Sequence, residues 1–197
     1  VVGGSGDVLI DGLSPAGIGI LFENGAGVST TTGAIGLYGT GADFGLDITD
    51  GALDTDSGDI TLEGTATAAT AIAGVRVTGD GLTTNGGDIT IIGSSAGGVG
   101  VQLGDGGAFA IGSGSGAISI EGTGITAGVL MQDNQVASGG GAVSITGVGG
   151  DLGVSLQGSD IDSAGGDIDI DGTASATGGA GVYLYDVQLT GGAGDVI

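Results

Sequence analysis

One short phrase, glycine and apolar residues in strict alternation (Gly-x-apolar-x-apolar-x-Gly), is written along this chain eight times. It reads GDVLIDG from Gly6, GAIGLYG from Gly33, GDITLEG from Gly58, GDITIIG from Gly87, GAISIEG from Gly116, GAVSITG from Gly141, GDIDIDG from Gly166 and GDVI from Gly194. A two-residue apolar period describes a strand with one buried face and excludes an amphipathic helix. Successive starts lie 25 to 29 residues apart. A spacing in that range marks a repeat architecture, in which each unit covers the hydrophobic face of its neighbour.

Two further elements recur inside every repeat. The first is Gly-apolar-x-apolar: GILF from Gly19, GLDI from Gly45, GVRV from Gly74, GVQL from Gly100, GVLM from Gly128, GVSL from Gly153 and GVYL from Gly181. The second is one apolar residue eight or nine places later: Val28, Leu53, Leu82, Phe109, Val136, Ile161 and Leu189. From there the next repeat opens after five residues, except after Phe109, where it opens after seven. Length varies mainly between the first two elements, where the starts are 12 to 16 residues apart. Thr65–Thr67 with the small residues that follow, and Thr173–Gly179, read as insertions there.

Three short strands and three turns per repeat describe a coil that returns to its start displaced by one strand spacing of about 4.8 Å. Stacked coils then pair each strand in parallel with its equivalent, and parallel crossovers are right-handed. The fold expected is all-β: a right-handed parallel β-helix of about seven coils, without helix, as a single array over residues 1–197. It would form a rod segment of roughly 34 Å. Val8, Ile35, Ile60, Ile89, Ile118, Val143 and Ile168 should form one interior column. Ile20, Leu46, Val75, Val101, Val129, Val154 and Val182 should form another. A lone coil buries too little apolar surface to offset its own ordering, so stability belongs to the array. Both ends of the sequence lie within strand patterns, which raises two expectations: an excerpt of a longer array, or rods joined end to end into a fibre.

Glycine supplies 51 of 197 residues, which without periodicity would indicate disorder. Here 40% of the chain is hydrophobic and at fixed phase, with only six aromatics, so the core is narrow and aliphatic. The chain carries 23 acidic residues against one Arg, Arg76, with no Lys or His. That balance repels phosphate backbones and anionic lipid, so neither nucleic acid nor an inserted membrane is an expected partner. The absence of Cys removes disulfides and thiolate metal sites.

The strands GGDITI, GGDIDIDGTAS and GAISIEGTG, with the GVxL second elements, resemble the haemagglutinin-type and β-strand-repeat passengers of large bacterial adhesins. The resemblance covers essentially the whole chain. It implies an extracellular or cell-surface stalk or fibre, exported by an autotransporter or two-partner route. The chain departs from that family in its scarcity of Asn at the turns and its lack of Lys, so no binding residue is carried over.

Catalysis on such a scaffold needs residues that can be compared with those present. A lyase of this shape needs a basic residue with Ca²⁺, and Arg76 reads as an outward side chain between acidic neighbours. Glycoside hydrolysis needs a carboxylate pair. Asp167, Asp169 and Asp171 share one strand face but lack a desolvating neighbour beyond Tyr183 and Tyr185. A nucleophilic triad fails for want of His. The chain therefore reads as non-enzymatic, the alternative being a carbohydrate- or calcium-binding module, or a glycan-active enzyme. The residue five beyond each second-element glycine is Asn24, Asp50, Asp105, Asp133 or Asp186, with Gly in two coils. Asp50, Asp105, Asp133 and Asp186 are candidate Ca²⁺ ligands, and equally candidate left-handed corners. No cofactor is required by this reading. Threonine pairs do not recur in every coil, which argues against an ice-binding face. Among the outward apolar residues, Leu21, Leu130, Tyr183 and Tyr185 share one face and are the candidate lateral contact, with another rod or with a glycan surface.

Overall fold

The computed structural model describes residues 1–105, 107 and 109–197. Among these there are twenty-one strands and no helix. They form three seven-stranded sheets, parallel throughout, and each sheet takes one strand from every coil. The first comprises Val8–Ser14, Ile35–Gly41, Ile60–Ala66, Ile89–Ser95, Ile118–Thr123, Val143–Gly149 and Ile168–Ala174. The second comprises Ile18–Phe22, Phe44–Ile48, Ala73–Val77, Val99–Leu103, Ala127–Gln132, Leu152–Gln157 and Ala180–Tyr185. The third runs Val28–Thr30, Ala52–Thr55, Gly81–Thr84, Phe109–Gly112, Asn134–Ala137, Asp160–Asp162 and Gln188–Thr190. The fold is thus a parallel β-solenoid of seven coils with three strands in each.

Both expected columns are present in register, and they are interior except that Val182, the last member of the second, is 40% exposed. Val8 pairs with Ile35, Ile35 with Ile60, and the register continues unbroken to Ile168, which bridges on to Val196. Ile20, Leu46, Val75, Val101, Val129, Val154 and Val182 pair likewise through the second sheet. Ile60, Ile89 and Ile118 are fully buried. β-Branched side chains suit these columns because their stiff rotamers repeat without conflict on a pleated surface.

The third column differs from expectation in one coil. Ile111, not Phe109, pairs with both Leu82 and Val136. Ile111 lies five residues before Gly116, so the spacing exception assigned to Phe109 disappears. Phe109 is also buried, one inward step earlier, opposite Asn134. Both phenylalanine and isoleucine sit at inward phase, and the longer turn before them hides which one is aligned.

Glycine at two motif positions is demanded by close approach. A Cβ on the opening glycine of a repeat would strike the carbonyl of its equivalent one coil back, as at Gly58 over Gly33 and Gly87 over Gly58. The closing glycine of the first strand faces the second-sheet glycine of the same coil: Gly64 meets Gly74 and Gly93 meets Gly100, backbone on backbone. Two sheets therefore touch at a corner with no room for a side chain.

A ladder of hydroxyls lines the corner at the opening glycines. Thr30, Thr55, Thr84, Ser113, Ser138 and Ser163, each three residues before an opening glycine, are all buried. Thr30 Oγ1 donates to the Gly33 carbonyl at 2.5 Å and Ser113 Oγ to that of Gly116 at 2.6 Å. Thr84 Oγ1 donates to the Gly58 carbonyl at 3.0 Å and accepts from the Gly87 N–H at 3.0 Å. These bonds satisfy polar groups that a sharp interior turn would otherwise strand.

Candidate functional site

With the interior filled by side chains, any recognition lies on the outer faces of the sheets. On the first sheet, outward residues fall into three columns set by the ladder register. The central one runs Asp11, Tyr38, Glu63, Ile92, Glu121, Thr146, Asp171. Its neighbours are largely hydroxyls: Thr61, Thr90, Ser119 and Ser144 on one side, Thr40, Thr65, Ser94 and Thr123 on the other. A concavity of about 250 Å³ is lined by Asp11, Tyr38, Thr40, Glu63, Thr65, Ile92 and Ser94. A second, of about 220 Å³, lies across the Tyr38 ring and is lined by Asp7, Leu9, Gly36, Tyr38 and Thr61. Tyr38 thus lines both hollows and stands between them.

Aspartates at the start of the first strands have a structural task. Asp59 Oδ1 accepts the N–H of Asp88 at 2.8 Å, and Asp88 Oδ1 accepts that of Ala117 at 2.8 Å. Asp7 serves Ala34 and Asp167 serves Asp195 in the same way, each at 2.9 Å. A carboxylate in one coil thereby caps the backbone of the next, a charge-assisted bond.

The calcium candidates lie at exposed corners. Asp133 and Asp186, like Asn24, adopt left-handed backbone with φ of 55°, 53° and 56°. Asx side chains tolerate this region because they bond locally. Asp50 instead accepts the Gly25 N–H at 2.9 Å through Oδ2. In the fourth coil the left-handed residue is Gly104, φ 71°, and Asp105 follows it. Among the described residues, no group of three or more acidic side chains is placed to hold a metal ion.

The lateral-contact candidates share one outward column of the second sheet: Leu21, Asp47, Arg76, Gln102, Leu130, Ser155, Tyr183. Tyr185 lies beside it, opposite Gln157. The structure brings Leu130, Tyr183 and Tyr185 together around buried Ser155, whose hydroxyl receives Gln157 Nε2 at 3.2 Å. Leu21 is four strands away from Leu130, beyond a polar stretch.

That polar stretch corrects the reading of Arg76 as simply solvated. Its guanidinium grips Asp47 on the adjacent strand in a two-pronged bond, Nε to Oδ1 and Nη2 to Oδ2, both 2.7 Å. It also stacks over the Phe44 ring, 4.2 Å from the centroid. The Asp47 side chain is 3% exposed and that of Arg76 27%. Arginine alone suits this place, since its planar fork bonds a carboxylate and lies on an aromatic face together.

Among the described residues no helix is long and apolar enough to cross a membrane. Asp167, Asp169 and Asp171 are exposed on the first sheet, while Tyr183 and Tyr185 belong to the second. Compared with known proteins, the chain matches no family model, no curated protein and no solved structure.

Proposed function

We propose that the chain is a non-catalytic structural rod of the extracellular space, a segment of a bacterial surface fibre or adhesin stalk. The observation that carries this reading is the uniformity of the stack: one register runs from Val8 to Ile168 with no coil departing from it. Each coil is made to sit on another like it, which suits end-to-end association of copies or adjoining repeats. The resemblance of its strands to those of secreted adhesins supports the same role and location.

Electron microscopy with fibre diffraction tests it. Rods that lengthen with protein concentration and give an axial reflection near 4.8 Å are expected. Compact particles of constant size at every concentration would overturn the rod. Calcium is not required on this reading. Melting in EDTA and in CaCl₂ should give one Tm, and a rise with CaCl₂ would return the corner aspartates to the role of ligands.

A further inference from the structure

We infer that the first-sheet face around Tyr38 is a binding platform for a neutral glycan chain. In its column Gly36 lies between Leu9 and Thr61, and side chains continue at every later coil. The Tyr38 ring fills the gap: a Cβ on Gly36 would lie 2.9 Å from Tyr38 Cε2 and 3.5 Å from its hydroxyl. The phenol is therefore laid along the sheet over Gly36, beside Leu9, whose Cδ1 would lie 3.2 Å from the same Cβ. A ring so placed, half-buried and flanked by the two hollows, offers a flat apolar surface level with its surroundings.

The rim decides the ligand class. Asp11 and Glu63 pair with Tyr38 from either side in register, and both are exposed. Each carboxylate is an acceptor only, suited to ligand hydroxyl donors. The hydroxyls of Thr40 and Thr65 line the same hollow and can both give and accept. A sugar ring carries the complementary set: an apolar face of C–H groups for the phenol and hydroxyl donors around its edge. Successive coils repeat about every 4.8 Å, comparable with one extended sugar unit, so a chain along the axis would meet equivalent hydroxyls at each step.

Charge excludes acidic glycans. The molecule carries a formal charge of −22, and its single cationic side chain, Arg76, is committed to Asp47 on another sheet. Uronates and sulfates would be repelled and would find no counter-charge. Leu9 and Ile92 line the same hollows and add apolar surface beside the phenol, for the C–H faces of neighbouring sugar units.

The inference does not depend on filament formation, because the platform lies on the first four coils of one chain. It is tested on the folded chain by affinity electrophoresis and calorimetry. The probes are soluble β-glucan, xylan, mannan and galactan, with polygalacturonate and heparin as acidic controls. At least one neutral polysaccharide should bind, and Tyr38→Ala should weaken it by at least about tenfold, roughly 1.4 kcal/mol. Gly36→Thr, which restores the column and evicts the ring, should do the same with unchanged circular dichroism. Ile125→Ala, an exposed side chain in the turn after Ile118–Thr123 and away from both hollows, should bind as the parent does. Failure of every neutral probe, preference for the acidic ones, or equal binding by Tyr38→Ala would each overturn the proposal.

Discussion

Arg76 is where a single side chain most visibly holds two coils together. Asp47 is buried with the guanidinium bonded across it, and that guanidinium also lies over the Phe44 ring. Removing one member of such a pair leaves the other charge without compensation, which costs far more than the pair contributes. Arg76→Ala is expected to destabilise the fold by about 3 kcal/mol, read as a lower urea midpoint. Adding Asp47→Ser, the residue found at the equivalent place in Ser155, should return most of it. An Arg76→Ala variant as stable as the parent would mean that water reaches Asp47.

At the scale of the strand, glycine decides which sheets can meet. Gly93→Ala would press a methyl into the backbone of Gly100 and should cost more than about 3 kcal/mol, since neither strand can yield without breaking its ladder. Gly25, with φ of 73° and open space beside it, should lose only about 1 kcal/mol on the same change, as backbone strain alone. Thermal melts of the two variants would separate close approach from conformation. If they were equal, the corner contact would not be what selects glycine. Strand identity was legible in the sequence because alternation and spacing are local properties, so the Ile89 and Val101 columns could be written down in advance. The hydroxyl ladder stands three residues before six of the eight opening glycines, Gly33 to Gly166, yet Ser and Thr near a turn read as ordinary loop chemistry and were not singled out. What no local pattern could supply was adjacency. Arg76 with Asp47, 29 residues apart, and the Tyr38 ring over Gly36 become meaningful only once the register places their columns.

For the molecule as a whole, the dominant long-range term is self-repulsion. A formal charge of −22 is wound into a stack whose coils bring carboxylates such as Asp59 and Asp88 to within about one strand spacing. Salt screens such charges over about 8 Å at 0.15 M. The Tm should therefore rise as NaCl is increased from roughly 10 mM to 150 mM, as scanning calorimetry would show. A Tm that falls would make attraction, through Arg76 and the backbone caps, the larger electrostatic effect. The aspartate caps carry one more implication. In the first-strand caps the carboxylate belongs to the earlier coil and the N–H to the later, from Asp7 and Ala34 to Asp167 and Asp195, whereas Asp50 at another corner accepts from Gly25 of the coil before it. With every strand parallel and the first-strand caps all pointing one way, the solenoid has a direction along its axis, and a second copy stacked head to tail would continue both the ladders and the caps.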